Sequence, residues 1–354
     1  ARAPTATGAG ALGAAGLSHR FVDRPARTGT WLRSRPQRAL ALGAASVAVV
    51  SVIAASLPVA ERQVETEWVA AAAALAHDGY AGAASEPSSA AETARGMTPS
   101  PSRAAEDEPQ TLAPGCTGVP RSPTTPTCVG GDPNGDVRVA LVGDSHAKQW
   151  ATAVFAIAEE RGWRVETYAH ASCPFNVEER AVEAAGGVVC EGPNIATMAA
   201  LLADPYDIVI TANWAAGDFV ESGTGQPPGV AGYAEVWNRL ADAGSRVVVI
   251  KDVPKPRTHP LAADCLSVHY DDPASCGMPR DEALEGRDIV DRARVLAPRT
   301  FVVDITDRLC DETVCPAVIG NVVVYRDTNH LTDTFVRTLT PFIDARLPEE
   351  LGRS

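Results

Sequence analysis

Five apolar, β-branched runs alternate with stretches of helical spacing in the C-terminal two thirds of the chain, and this pattern constrains the fold most. The runs occupy residues 137–142, 164–169, 207–212, 246–253 and 300–305, and the helical stretches occupy residues 147–161, 194–203, 230–243, 280–296 and 331–347. Such alternation predicts an α/β fold with a parallel sheet covered on both faces. A site is then expected at the carboxyl ends of the strands. Segments 265–276 and 317–325 fit neither pattern.

Ser145 follows the first apolar run directly. The segment 139–146 reads Val-Ala-Leu-Val-Gly-Asp-Ser-His, so the strand ends at Gly143 and a hydroxyl stands just before a helix. Gly-Asp-Ser is also a common turn, because Asp and Ser bond their own backbone and Gly accepts a positive φ. The serine alone therefore leaves a turn and a nucleophile as alternatives.

Asp327 and His330 stand just past another apolar run, near the C-terminus. A nucleophilic serine needs a base within about 3 Å and a carboxylate that orients the base, and an Asp three residues before a His can meet the second need. We therefore predict a triad of Ser145, His330 and Asp327. His146 is not expected to act as a base for Ser145, because neighbours on a helix do not share a face.

These two blocks resemble those of the SGNH (GDSL-like) hydrolase superfamily, over residues 134–350. The α/β-hydrolase elbow, Gly-x-Ser-x-Gly, is excluded because position 147 is Ala. The resemblance implies a flavodoxin-like three-layer domain. It also implies an oxyanion site made of the Ser145 amide, a glycine amide and an asparagine side chain.

Asn213 matches the asparagine of that family, although Thr-Ala-Asn-Trp replaces the more usual Gly-x-Asn-Asp. The glycine is placed at Gly186 or Gly187. The alternatives are that Asn213 ends its strand as a turn residue and that the two glycines belong to a loop.

Residues 39–60 form 22 uncharged, mostly apolar positions. A helix of that length can cross a hydrocarbon core of about 30 Å. Six arginines between residues 20 and 38 precede it, so the positive-inside rule places the N-terminal side in the cytoplasm and the remainder outside. A signal peptide is the alternative, but its apolar region is normally shorter.

Residues 61–115 are rich in Ala, Ser, Pro and Glu, which predicts a flexible extracytoplasmic linker with a short helix near residues 68–77. Residues 116–354 are ample for one domain. After residue 60 the chain carries 24 basic and 43 acidic residues, a net charge of −19. This charge argues against a nucleic-acid partner, which needs a basic surface.

All eight cysteines follow the apolar segment and fall into four close pairs: Cys116 and Cys128, Cys173 and Cys190, Cys265 and Cys276, Cys310 and Cys315. An even count outside the cytoplasm predicts disulfides between the neighbours, although eight cysteines allow 105 pairings. A metal site at Cys310, Cys315 and His330 is the alternative. We predict no metal, because no Cys-x-x-Cys or His-x-x-x-His spacing accompanies them.

Residues 18–27, Ser-His-Arg-Phe-Val-Asp-Arg-Pro-Ala-Arg, resemble the end of the membrane domain of the acyltransferase-3 family, with Asp23 in place of the more usual Glu. Followed by one span, a linker and an SGNH domain, they match the fused acyltransferase-3/SGNH proteins of bacterial envelopes. Residues 1–38 then end the membrane domain, and the chain is a C-terminal fragment located at the bacterial plasma membrane.

The resemblance implies an O-acyltransferase, usually O-acetyl, whose partners are an envelope glycan or glycolipid, the lipid bilayer and the upstream membrane domain. That domain takes its acyl group from acyl-coenzyme A, and no cofactor is expected in this chain. A tethered SGNH esterase is the first alternative, because the same triad serves water as acceptor. A non-catalytic glycan-binding module is the second.

Overall fold

The computed structural model divides the chain into two units, residues 1–67 and residues 68–354. It describes residues 19–20, 24, 37–38, 40–41, 43–52 and 54 of the first unit, and residues 80–87, 96–113, 115–120, 122–181, 189–215, 218–221, 223, 225–255 and 262–351 of the second. The described residues between 40 and 54 are helical. No helix built from described residues has the length and apolar character needed to cross a membrane. Most of residues 1–38, the ends of the predicted span at 39–60 and the predicted helix near residues 68–77 lie outside the described residues.

A mostly parallel sheet forms the centre of the second unit. The described strands are β1 Thr117–Gly118, β2 Val129–Gly131, β3 Val137–Gly143, β4 Trp163–His170, β5 Ile208–Ala212, β6 Arg246–Ile250, β7 Met278–Pro279, β8 Phe301–Val303, β9 Val314–Cys315, β10 Val318–Ile319 and β11 Val322–Val323. The central sheet has the order β1-β4-β3-β5-β6-β8, and β2 pairs antiparallel with β4. Counted along the chain, the five predicted strands follow the flavodoxin-like order 2-1-3-4-5. The predicted α/β fold is therefore confirmed.

Helices cover both faces of this sheet. The described helices are α1 Ser145–Gln149, α2 Ala151–Arg161, α3 Glu191–Ala203, α4 Val230–Asp242, α5 Ala262–Val268, α6 Arg280–Ala283, α7 Ile289–Leu296 and α8 Asp333–Asp344. Short 3-10 helices lie at Gly82–Ala84, Pro101–Glu106, Pro273–Cys276, Thr306–Arg308 and Glu349–Leu351.

Alternation along the strands produces the three layers. In β3, Val139 and Leu141 belong to one hydrophobic cluster, whereas Ala140 and Val142 belong to a second. The first cluster includes residues of α2 and α8, and the second includes residues of α3, α4 and α7. Successive strand residues point to opposite faces, so each face buries its own set of helices.

Two predicted helices are each divided in the structure. The stretch at 280–296 forms α6 and α7, and Gly286 in the turn between them has a φ of 74°, a left-handed conformation that does not continue a helix. The stretch at 147–161 begins earlier, at Ser145, and is divided at the fully buried Trp150, where ψ is −6°.

The described parts of the segment predicted as a flexible linker, residues 61–115, pack against the domain. We call residues 80–87 and 96–113 the N-terminal extension. Ala83, Met97 and Ala104 are fully buried in the first cluster. The N–H of Thr98 donates to the carbonyl of Asn321 at 2.9 Å. These few apolar residues stand apart in a segment rich in Ser, Pro and Glu, so the composition of the segment does not predict that each is buried in the core.

Candidate functional site

Ser145 and Asn213, two of the predicted site residues, lie at the carboxyl ends of central strands. Ser145 is the first residue of α1, two positions after β3 ends. Asn213 follows β5 directly. Strand order reverses between β3 and its neighbours β4 and β5, and ligands of open α/β sheets bind at such a reversal.

Gly143 is required by the close approach of β3 to β5. Its φ is 147°, and an added Cβ would lie 2.0 Å from the carbonyl oxygen of Ala212 and 2.9 Å from Asn213 Oδ1. No other residue fits without moving the adjacent strand end. The glycine of the Gly-Asp-Ser block therefore serves the packing beneath the serine.

Asp144 connects the serine turn to the loop after β5. Its Oδ1 accepts the backbone N–H of His146 at 2.8 Å, which caps α1, and its Oδ2 accepts the N–H of Trp214 at 3.0 Å. Burial raises the pKa of this carboxyl group. Asp144 thus fixes the turn from which the half-buried Ser145 projects.

Asp327 and His330 form the predicted acid–base pair. His330 Nδ1 lies 2.8 Å from Asp327 Oδ2 and 3.0 Å from Oδ1. Asp327 Oδ1 also accepts the backbone N–H groups of Asn329 and His330, at 2.9 and 2.8 Å. This loop geometry holds the carboxylate against Nδ1, the arrangement that orients a catalytic imidazole.

Opposing effects set the pKa values of this pair. Burial favours the neutral form of Asp327, but the hydrogen bond and charge of His330 outweigh it and lower the Asp327 pKa to about 2. Burial lowers the pKa of His330, and Asp327 only partly counteracts it. Near neutral pH the pair therefore consists of a carboxylate and a neutral imidazole, which is the form that accepts a proton.

Ser145 and His330 belong to segments that contact each other. Leu331 donates its backbone N–H to Gln149 Oε1 of α1 at 3.0 Å. His330 Nε2 is buried and makes no hydrogen bond to the described residues. The structure thus brings the helix of Ser145 to the loop that carries His330, and no hydrogen bond joins the serine to His330.

Asn213, predicted as an oxyanion donor, is held by two hydrogen bonds at the end of β5. Its Oδ1 accepts the N–H of Phe175 at 2.7 Å, and its Nδ2 donates to Thr211 Oγ1 at 3.0 Å. An amide nitrogen carries two hydrogens, so one bond to Thr211 leaves the second for a ligand. Gly186 and Gly187, predicted as the glycine donor, lie outside the described residues.

His146 lies beside His330, although the sequence excludes it as a base for Ser145. Its ring is fully buried, and Nδ1 lies 2.6 Å from Asp252 Oδ1. The ring centroid lies 4.8 Å from that of His330. Asp252 stands two residues after β6, and the position of an acidic residue just past a predicted strand was the one signal that could have drawn attention to it.

The N-terminal extension reaches the same region through Glu108. This carboxylate forms ion pairs with Lys148 of α1 and with Arg326, the residue before Asp327. The hydrogen bond from Lys148 is the main effect that lowers the pKa of Glu108. One side chain thus joins the serine helix to the loop of the base.

All four neighbouring cysteine pairs form disulfides, as predicted: Cys116–Cys128, Cys173–Cys190, Cys265–Cys276 and Cys310–Cys315. The alternative of a metal site at Cys310 and Cys315 is therefore wrong, because disulfide sulfurs are not thiolate ligands. Within the described part of the chain, no group of three or more His, Cys, Asp and Glu side chains is arranged to hold a metal ion.

Comparison with known proteins decides the family. Residues 115–345 match the sequence model of the SGNH domain (fused to AT3 domains). The chain belongs to this family. No curated protein sequence matches the chain significantly. Among solved structures that match this SGNH protein, the periplasmic domain of a lipopolysaccharide acetyltransferase from Salmonella ser. Paratyphi A is 14% identical, with a TM-score of 0.48, over 62% of this chain and 85% of that one.

Proposed function

We propose that this chain is the exterior part of an envelope glycan O-acyltransferase, in which Ser145, His330 and Asp327 pass an acyl group, usually acetyl, to a sugar hydroxyl. The Asp327–His330 pair carries the proposal, because its His330 Nε2 is buried without a hydrogen-bond partner in the described chain, beside the helix that begins with Ser145. A neutral imidazole held in this way can take a proton from a hydroxyl.

The reaction has two balanced steps. Ser145 Oγ bonds to the acyl carbonyl carbon and gives its proton to His330 Nε2, which passes it to the departing donor group. A sugar hydroxyl then gives its proton to His330 and attacks the acyl-serine, and the proton returns to Ser145 Oγ. Backbone N–H groups at Ser145 and the Asn213 amide stabilise the oxyanion in both steps.

The membrane arrangement belongs to the same proposal. The family description associates this domain with AT3 domains, which supports an upstream membrane domain that takes the acyl group from acyl-coenzyme A. Residues 39–60 then form a span of the bacterial plasma membrane, with the N-terminal side in the cytoplasm and the SGNH domain outside. Four disulfides in that domain support an oxidising exterior.

Competition between acceptors tests the proposal. The chain is incubated with 4-nitrophenyl acetate and a panel of envelope oligosaccharides, and mass spectrometry measures acetylated sugar against free acetate. We expect acetylated sugar from the parent and none from Ser145→Ala. Hydrolysis alone with every acceptor would instead favour the tethered esterase, and turnover by neither route would favour the glycan-binding module.

A further inference from the structure

A second imidazole–carboxylate pair lies beside the predicted triad and has no role in the steps above. His146 and Asp252 are both fully or almost fully buried, and their side chains meet at 2.6 Å. Asp252 Oδ2 also accepts the N–H of Ala215 at 2.9 Å, and its Oδ1 accepts that of Val253 at 2.8 Å. Because two backbone N–H groups fix the Asp252 carboxylate, the carboxylate in turn holds the His146 ring in one orientation.

The other side of the His146 ring faces the loop of the catalytic base. His146 and His330 have ring centroids 4.8 Å apart, tilted by 44°. His146 Nε2 lies 3.4 Å from Asn329 Nδ2, one residue before His330. Trp214 closes a third side, with its ring edge-on at 5.3 Å. His146 therefore contacts both the ring of His330 and the turn that presents it.

Stability alone is a weak reason for this pair. Burying an ion pair removes two charged groups from water, and well-packed apolar residues are often at least as stabilising in the same space. The pair also occupies the carboxyl edge of the sheet, where this fold places its chemistry. Its location and its contacts both point towards the catalytic base.

We propose that His146, held by Asp252, is a positioning residue that fixes the ring of His330 for its work on Ser145. This inference rests on the proposed function, because it assigns His330 the role of base. Asp252 holds the ring of His146 in one orientation, His146 packs against His330, and Asn329 lies against the other nitrogen of the His146 ring. The site thus contains two imidazole–carboxylate pairs. His330 and Asp327 move protons, and His146 and Asp252 hold the His330 ring in position.

The charges around His146 affect the pKa of His330, which can be measured. Burial alone would lower the His146 pKa, but Asp252 outweighs burial and raises it. The protonated form of His146 faces His330, and its positive charge lowers the His330 pKa. The charged groups that act on the two rings are Asp327 and Arg326 from the loop of the base, Asp144 from the serine turn, and Asp252 and Lys255 from the segment after β6. Loss of the His146 charge therefore moves the His330 titration upward.

His146→Gln tests this inference by NMR titration of His330 in the whole chain, which needs no enzymatic turnover. We expect the His330 midpoint to rise by about one pH unit. Asp252→Asn should shift it in the same direction, because His146 loses the anion that keeps it charged. His170→Gln is the matched control, since His170 is a buried histidine at the end of β4 whose ring meets Thr125 rather than His330.

Ester turnover supplies the second measurement. In His146→Gln the acid limb of kcat/KM should shift upward with the NMR midpoint, whereas the control should match the parent. Lowered stability with an unchanged His330 midpoint would overturn the inference and leave His146 a structural residue. A raised midpoint in a chain whose parent shows no ester turnover would show that the two rings are coupled, but it would overturn the proposed function and, with it, the role of His146 in positioning a base.

Discussion

His330 donates through Nδ1 to Asp327 at 2.8 Å, while its Nε2 makes no hydrogen bond to the described residues. The imidazole is therefore oriented from one side and left available on the other. That asymmetry is what a serine nucleophile requires of its base. The predictions below follow from it and from the packing around it.

Ser145→Ala should abolish ester turnover with little effect on folding. The substitution removes the hydroxyl that forms the acyl intermediate, so kcat should fall by at least about 10³-fold, and labelling by a fluorophosphonate should disappear. Ser267→Ala, at an exposed serine of α5, is the control and should match the parent. Full turnover in Ser145→Ala would show that another group is the nucleophile.

Activity should persist below the usual histidine range. Burial lowers the pKa of His330, and a base works in its neutral form, so the acid limb of kcat/KM should have its midpoint below about 6.5. Asp327, with a pKa of about 2, should not contribute a limb above pH 4.

Asp327→Asn should move that limb in the direction opposite to His146→Gln. The carboxylate raises the pKa of His330, so its removal should lower the midpoint further while the plateau rate falls by about 10²-fold or more. A pH–rate profile of the two variants measures both effects. Parallel shifts would mean that the limb reports some group other than His330.

Gly143→Ala should destabilise the domain, because the new methyl group would lie 2.0 Å from the carbonyl oxygen of Ala212. We expect a loss of more than about 2 kcal/mol in the free energy of unfolding, measured by denaturant titration. Gly192→Ala in α3 meets nothing within 4 Å and should be neutral or stabilising by up to about 1 kcal/mol. Equal effects at the two positions would contradict the close approach of β3 to β5.

Removal of the N-terminal extension should weaken the domain. A chain that starts at residue 115 loses the fully buried Met97, Ala83 and Ala104. Burial of a Met side chain alone contributes about 1.5–3 kcal/mol, so the urea midpoint should fall clearly relative to a chain that starts at residue 80. Identical midpoints would restore the linker interpretation for this segment.

Replacing Cys173 and Cys190 with Ala should lower the free energy of unfolding by about 2–4 kcal/mol. It should also lower activity, since the loop they close carries Phe175, whose N–H holds Asn213. The matched control removes Cys310 and Cys315, whose sequence separation is 5 rather than 17. The control should cost about 1 kcal/mol less and leave turnover intact. Activity equal in both variants would argue against a role for this loop.

Local patterns made much of this structure predictable. The strands around Gly143 and Asn213 could be read because parallel, doubly covered strands are continuous apolar runs. The cysteine pairs could be read because each partner lies within 17 residues. Asp327 and His330 could be paired because three residues of chain bring them together.

Polar contacts between residues far apart in the chain could not be predicted from local sequence patterns. His146 and Asp252 are 106 positions apart, and each alone resembles an ordinary residue at a strand end or helix start. The His146 side chain points away from that of Ser145, as expected for neighbours on a helix. In this direction it is buried beside His330. The N-terminal extension was missed for a related reason, because Met97 and Ala104 are isolated apolar residues in a polar segment and find their partners only in the folded domain.

Glu108 links the N-terminal extension to both segments of the predicted site. Its carboxylate forms ion pairs with both Lys148 and Arg326. The backbone carbonyl of the neighbouring Asp107 accepts the N–H of Asp333 at the start of α8. A force that arrives along the chain before residue 96 is therefore shared between the serine helix and the loop of the base, rather than borne by either alone. Ser145 and His330 should then shift together under such a force, and the distance between them should be preserved.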